Sequence, residues 1–349
     1  MLYRDRTINP KSTLLDTLKK MDILDKKLLI VIDNERFLGL ISAGDIQRAI
    51  IQNKSLDTLA INVLRQDIKI ASPEDSFESI KQLMLEFRME LCPVINDRYE
   101  ILEVYFWEDI FGDRRFEPAK QFTLPVIIMA GGIGQRLKPL TNVLPKALIP
   151  IGEKTMLEEI FERFGNHGCK EFFISLNYKA ELIEFYIRNQ NLIYQIEFFK
   201  EKKPMGTAGS LSLLKGKINQ TFFVSNCDIL IEQDYSNILD YHLENKNEIT
   251  VVAALKNYSI PYGTIETGDN GKLTGLTEKP DFTFKINSGM YILEPQLLNE
   301  IPKNTFFHIT NLIENILRRK GKVGVYPVSE RSWKDMGEWS EYYKNIVMK

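Results

Sequence analysis

Residues 125–151 read PVIIMAGGIGQRLKPLTNVLPKALIPI. An apolar run, Pro125 to Ala130, empties into a turn that carries Gly131, Gly132 and Gly134, with Arg136 two residues later and Lys146 after Pro145. Glycine takes positive φ without steric cost and lets a ligand come close to the backbone. A turn of this kind, leaving a buried strand, presents several N–H groups to an anion. Arg136 and Lys146 add two fixed positive charges. The stretch therefore predicts a strand, a glycine turn and a triphosphate site. It differs from a dinucleotide GxGxxG loop, because Arg136 sits inside it and no acidic residue stands where a ribose-binding one belongs; it also lacks the GK[ST] ending of a P-loop.

Downstream of the turn, strand-like and helix-like stretches alternate. PVIIMA is followed by a helix near 154–165, EFFISLN by a helix near 179–190, and YQIEFFK by a helix from about 207; TFFVSN leads to Asp228. Such alternation predicts the α/β class, with a Rossmann-like mixed, mostly parallel sheet covered by helices on both faces. Ligands bind such sheets at the carboxyl ends of the strands. The glycine turn and Asp228 both fall there.

Bulk composition narrows the function classes. A length of 349 residues points to two domains. The balance of 45 basic against 47 acidic residues, net charge −2, argues against a nucleic-acid partner. No apolar run approaches the roughly 20 residues of a membrane span, and MLYRDRTINPKST lacks the apolar core of a signal peptide. Cys92, Cys169 and Cys227 form no CxxC, as expected of a protein in a reducing cytoplasm. His167, His242 and His308 show no metal-ligand spacing, and no GxSxG turn marks a serine hydrolase.

Residues 1–112 contain a weak internal repeat. INPKSTLLDTLKKM (8–21) lies against ASPEDSFESIKQLM (71–84), each with a proline, an N-cap candidate and helically spaced apolar residues. LLIVIDNERFLGLIS then matches LCPVINDRYEILEVYF, and Asp45-Ile46 matches Asp109-Ile110 at the entry to a helix. This β-α-β-β-α unit, present twice (1–60 and 61–112), resembles a pair of cystathionine-β-synthase (CBS) domains. The resemblance implies that Ser42 and Asp45 hold the ribose of an adenine nucleotide; in the second half Asp109 is present but Phe106 stands where the hydroxyl belongs. The alternative is that Ser42 and Asp45 only cap the helix at 46–53. The resemblance also implies a homodimer. Residues 113–122, charged and aperiodic with Pro118, read as a linker, and the second domain as 123–349.

From about residue 124 onward the chain resembles a sugar-1-phosphate nucleotidyltransferase, or NDP-sugar pyrophosphorylase. Five separated motifs carry the likeness: Gly131-Gly132-Ile133-Gly134-Gln135-Arg136 with Pro145-Lys146; Met205-Gly206-Thr207-Ala208-Gly209; Asn226-Cys227-Asp228; Glu278-Lys279-Pro280 with Asn287-Ser288-Gly289; and Trp333-Lys334-Asp335-Met336-Gly337. In that reaction a sugar-phosphate oxygen attacks the α-phosphorus of a nucleoside triphosphate, so two anions must be aligned in line. Arg136 suits bidentate contact with β- and γ-oxygens, and Lys146 suits charge near the α-phosphate. Asp228 at a strand end is costly unless it meets a cation; Mg²⁺ is the expected cofactor, with Asp335 as the second carboxylate that the resemblance implies. Cys227 departs from the glycine usual before the first aspartate, which raises the prospect of crowding or oxidation.

The resemblance implies further that Ala130, Gly131, Gly132, Gly134, Met205, Gly206, Thr207 and Ala208 bind the nucleotide, with Gln135 and Glu201 near it. Small residues in the 205–209 loop let a base lie against backbone that reads its edge. Lys279 is implied to hold the sugar phosphate, and Gly263, Glu278 and Asn287 to line the sugar pocket, beside a hairpin-like segment from Tyr262 to Leu276. A CBS pair joined to the KPMGTAG loop resembles bacterial glucosamine-1-phosphate guanylyltransferases of legionaminic acid synthesis. This favours GTP and glucosamine 1-phosphate, with mannose 1-phosphate or another NDP-sugar reaction as the alternative. A non-catalytic nucleotide sensor is the alternative from a different class; the joint presence of Arg136, Lys146, Asp228, Lys279 and Asp335 argues against it.

Overall fold

A computed structural model describes residues 3–87, 89–111 and 120–347, without the side chains of 344–347. The chain divides into two compact units, residues 1–117 and 118–349. Of the expected linker, residues 113–119 lie outside the described residues.

The first unit runs β1 (Thr7–Ile8), α1 (Leu14–Leu24), β2 (Leu28–Asp33), β3 (Arg36–Ser42), α2 (Ala43–Ile51), α3 (Phe77–Phe87), β4 (Leu91–Ile95), β5 (Ile101–Phe106) and α4 (Trp107–Phe111). In the first half β1 pairs parallel to β2, and β2 antiparallel to β3. The second half repeats that order with β4 antiparallel to β5. Its opening strand shrinks to one parallel bridge, Ala71 to Val94, fixed by Ala71 N–H on the Pro93 carbonyl and Ile95 N–H on the Ala71 carbonyl. Leu28, Ile30, Phe37 and Leu40 from the first half share one apolar core with Leu91, Ile95 and Phe106 from the second.

The second unit comprises β6 (Val126–Met129), β7 (Pro150–Ile151), β8 (Lys154–Thr155), α5 (Met156–Asn166), β9 (Glu171–Leu176), α6 (Ala180–Arg188), β10 (Gln195–Lys200), β11 (Phe222–Asn226), β12 (Ile229–Ile231) and α7 (Tyr235–Glu244). It continues with β13 (Ile249–Ser259), β14 (Thr264–Thr267), β15 (Leu273–Thr277), β16 (Asp281–Leu293), α8 (Ile309–Arg318), β17 (Val323–Ser329), β18 (Trp333–Asp335) and α9 (Trp339–Val347). Seven strands form one sheet in the order β10-β9-β6-β11-β16-β13-β17. Only β16 runs against the others. The expected mixed, mostly parallel sheet is therefore present.

Buried parallel strands read as unbroken apolar runs because both faces are covered. Successive side chains on β11 show how. Phe222 and Val224 join a core with Leu312 and Ile316 of α8; Phe223, between them, packs edge-on to Phe164 of α5 and near Tyr235 of α7. The helices predicted near 154–165 and 179–190 appear as α5 and α6. The one expected from about 207 is instead a 3₁₀ turn, Gly209–Leu214. Its cause is local: Ala208 and Gly209 both donate their N–H to the Phe307 carbonyl, which ties the loop sideways to another segment.

Candidate active site

Four parallel strands deliver their following loops to one edge of the sheet. Met129 lies opposite Asn226 on one side and Ser175 on the other, and Leu176 opposite Lys200. The glycine turn, the segment after Leu176, the Glu201–Ala208 loop and Asp228 therefore leave the sheet together. This edge is where open α/β sheets bind ligands.

The turn itself is held by backbone. Ala130 donates its N–H to Ser175 O (3.0 Å). Gly134 has φ +69, and a Cβ there would sit 2.8 Å from Thr141 Cγ2 and 3.3 Å from Lys146 Cβ, so only glycine fits. Gly132 by contrast faces open space, which leaves its backbone approachable.

Asp228 and Asp335 come together through a two-stranded antiparallel ribbon in which Ile229 of β12 pairs with Asp335 of β18. Met336 N–H donates to the Asp228 carbonyl (2.9 Å) and Gly337 N–H to Asp335 Oδ1 (2.9 Å). Lys146 Nζ forms an ion pair with Asp228 Oδ2, both largely buried. Arg136 Nη1 lies 3.7 Å from Asp335 Oδ2 and 2.6 Å from Glu338 Oε1. Burial pushes the Asp335 carboxyl above its ordinary range, and the neighbouring Asp228 charge adds to the effect.

Gly337 marks the point of convergence. A Cβ at this position would run into Asp228 Oδ2, with Lys146 Nζ at 2.7 Å and Asp335 Oδ1 at 2.8 Å. Two carboxylate oxygens thus face one small space beside an ammonium. No group of three or more His, Cys, Asp and Glu that could hold a metal exists among the described residues. Two carboxylates suffice for Mg²⁺, which takes one or two from protein and completes its shell with phosphate oxygens and water. The donor set fits that ion.

The 205–209 loop is packed more tightly than a free base-reading loop. Gly206 (φ +80) and Gly209 sit where any Cβ would collide with the Phe307 and Thr305 carbonyls. Phe307 N–H donates to Met205 O (2.9 Å), and Ile309 N–H donates to Thr207 Oγ1 (3.0 Å). The Ala208 N–H, expected to face the nucleotide, is committed to Phe307; Gly206 and Thr207 keep accessible surface. Glu201 ties this loop to the sheet, accepting from Ser175 Oγ (2.7 Å) and from Met205 N–H (3.0 Å). A Cβ on Gly131 would meet its Oε1 at 3.0 Å.

The residues implied in sugar binding lie on and beside the β14–β15 hairpin. Gly263 and Glu278 are adjacent, since a Cβ on Gly263 would lie 2.8 Å from Glu278 Oε2. Lys279 is exposed, with φ +46, on the turn into β16. Among the described residues no hydrogen bond or ion pair links Glu278 or Lys279 to the aspartate pair. Asn287 sits closer: its Oδ1 accepts from Gly289 N–H (3.1 Å), and a Cβ on Gly289 would meet Asn226 Nδ2 at 2.6 Å.

The structure adds detail at Cys227, at Ser42 with Asp45, and at Glu338. Burial pushes the Cys227 thiol up to about 12, so it stays protonated and the expected sensitivity to oxidation loses its thiolate. Ser42 and Asp45 form a reciprocal capping box on α2, with Ser42 N–H and Oγ on Asp45 Oδ2 at 2.7 and 2.5 Å. Glu338 was not anticipated, because nothing in WKDMGEW signals a partner 202 positions away.

The nucleotidyl transferase family model matches residues 125–348, and a CBS domain model matches residues 4–52. Mannose-1-phosphate guanylyltransferase catalytic subunit beta of Danio rerio is 29% identical over 233 residues, 64% of each chain. Mannose-1-phosphate guanylyltransferase of Mycobacterium tuberculosis is 26% identical over 223 residues, 62% of each chain. The chain thus spans somewhat less than two thirds of the length of these relatives. The crystal structure of HddC from Yersinia pseudotuberculosis superposes with a TM-score of 0.51 at 25% identity, covering 65% of this chain and 99% of that one. The match over 125–348 takes in every residue of the glycine turn, the aspartate ribbon and the hairpin, and on it the chain belongs to the nucleotidyl transferase family.

Proposed function

We propose that the chain transfers a nucleoside monophosphate from GTP to a sugar 1-phosphate and releases pyrophosphate. The observation that carries this reading is the convergence of Asp228, Asp335 and Lys146 on the space above Gly337, at the strand ends where the glycine turn also emerges. Arg136 takes the β- and γ-oxygens and Lys146 the α-phosphate, while Asp228 and Asp335 would hold Mg²⁺. The metal, when bound, neutralises charge on the phosphates. No general base is needed, because the attacking phosphate oxygen is already ionised. Gly132, Gly206 and Thr207 approach the nucleotide; Gly263, Glu278, Lys279 and Asn287 receive the sugar phosphate, with Lys279 supplying the charge.

Guanine is favoured by the curated relatives, which are mannose-1-phosphate guanylyltransferases. We assign glucosamine 1-phosphate as acceptor, in legionaminic acid synthesis, from the joined CBS unit; mannose 1-phosphate is the second reading, favoured by the same relatives. The N-terminal unit is assigned as a CBS pair that dimerises the chain in the cytoplasm and offers Ser42 and Asp45 to an adenine nucleotide. The test is pyrophosphate release from GTP, UTP, CTP, dTTP or ATP with glucosamine, mannose or glucose 1-phosphate and Mg²⁺. GTP with glucosamine 1-phosphate is expected to be fastest, and Asp228→Asn to remove the activity. Turnover with none of these pairs, or an unimpaired Asp228→Asn, defeats the proposal. Calorimetric titration of the full chain with AMP and ATP tests the CBS assignment; no heat at millimolar ligand removes it.

A further inference from the structure

The segment after Asp335 crosses the segment after the glycine turn and is fastened to it at three points. Glu338 Oε1 accepts from Arg136 Nη1 (2.6 Å), Trp339 Nε1 donates to the Lys138 carbonyl (2.8 Å), and Tyr342 OH donates to the Pro150 carbonyl (3.0 Å). Tyr342 N–H in turn donates to the Glu338 carbonyl (2.8 Å), which fixes the start of α9. Trp339 and Tyr342 hold the strap; Glu338 reaches the guanidinium.

The chemistry of that contact is informative. Carboxylate and phosphate oxygens are both anionic acceptors for a guanidinium, and here a single Glu338 oxygen takes one Arg136 N–H. Glu338 therefore presents to Arg136 what a β- or γ-phosphate would present. The pair is half exposed, 56% for Arg136 and 49% for Glu338. Exposed pairs of this kind are weak and exchange readily. The Lys146–Asp228 pair is buried by comparison, 13% and 8% exposed.

We propose that Glu338 is a built-in phosphate mimic that competes with the polyphosphate for Arg136. It yields the guanidinium as triphosphate binds and takes it back as pyrophosphate leaves, so that neither state strands an unpaired cation. Its role is in positioning and release, and it acts through Arg136. This inference rests on the assignment of Arg136 to the β- and γ-phosphates.

The test uses the full chain with Mg²⁺ and inorganic pyrophosphate as the titrant, in the wild type, Glu338→Gln, Arg136→Ala and the double variant. Glu338→Gln keeps shape and removes the competing charge. It is expected to bind pyrophosphate about two- to five-fold more tightly and to lower the KM for triphosphate by a similar factor, the range set by the strength of an exposed pair. The gain is expected to vanish in the Arg136→Ala background, where no guanidinium remains to compete for. Unchanged or weaker binding in Glu338→Gln overturns the proposal, since Glu338 would then be orienting Arg136 or doing nothing to it. A gain that survives Arg136→Ala also overturns it, because that is general charge removal. If the wild type binds pyrophosphate and turns over substrate while Glu338→Gln shows no gain, only this inference fails. If the wild type does neither, the proposed function fails with it.

Discussion

A methyl group at position 337 would lie against two carboxylates and an ammonium at once. Gly337→Ala is therefore expected to displace at least one of Asp228, Lys146 and Asp335 by a few tenths of an ångström or more. Misplacement of about 1 Å at a reacting centre costs on the order of 10²-fold, so kcat/KM is expected to fall by roughly that factor with little change in Tm. Steady-state kinetics with a melting curve on the same sample checks it; unchanged kinetics would show that the space above Gly337 is not used. At this scale much of the site was legible. Gly134, Arg136, Lys146 and Asp228 could be singled out because each belongs to a local motif with a recognisable residue type and spacing, and Asp335 through the family resemblance. Glu338 could not, because its significance lies only in Arg136, and that partner is set by tertiary structure.

Elements add effects that no single motif shows. α7 and β13 bury His242, whose Nδ1 lies 2.8 Å from Thr250 Oγ1 and whose Nε2 lies 3.1 Å from Glu294 Oε1. Burial lowers its pKa below the ordinary 6.5, although the Glu294 carboxylate pulls the other way. The unfolded chain then takes up the proton first. Stability from this group is complete above about pH 6.5 and is lost as pH falls from there toward the lower folded value, by at most about 1.4 kcal/mol per pH unit. Tm measured from pH 7.5 to 5.5 is expected to decline, and His242→Gln to flatten the decline; equal slopes would refute the assignment. The 205–209 loop shows the limit of pattern reading at the same scale. Its small residues suggest space for a base, and the structure adds a second reason for Gly206 and Gly209, since the Phe307 and Thr305 carbonyls stand against them.

Within the first unit, Arg6 joins the two halves. Its side chain is 1% exposed, lies over the Phe106 ring at 4.3 Å, and pairs with Glu108 and, at 3.8 Å, with Glu90. Burial raises the Glu90 carboxyl, against the pull of Arg6. Removing one partner of a buried ion pair typically costs 3–5 kcal/mol. Lys26 remains on Glu108 at 2.9 Å, and Glu108 and Glu90 are themselves 33% and 30% exposed, so Arg6→Ala is expected below that range, about 2 kcal/mol. Hydrogen exchange of the β2–β5 amides under urea reads this, and protection equal to wild type would discount the pair. The repeat that made this unit visible in sequence came from helix and strand periodicity. The arginine was invisible there, since a lone charged residue before a strand ordinarily faces water.

At the level of the whole molecule, the mostly parallel sheet of the second unit followed from the alternation of apolar strands and helices, because parallel strands buried on both faces read as apolar runs; the order of its strands did not. The hairpin expected from Tyr262 to Leu276 is there as β14 and β15, whereas the long β13 and β16 that carry it were not legible, because their outer ends lose the buried apolar pattern. The β12–β18 ribbon has a consequence in time. Ribosomes add about 5–20 residues per second, and Arg136 precedes Glu338 by 202 positions. The glycine turn is thus made roughly 10–40 s before the segment that brings Asp335 beside Asp228. A nascent chain can fold its glycine turn early and yet have only half of its carboxylate pair, which is complete only after Asp335 has emerged.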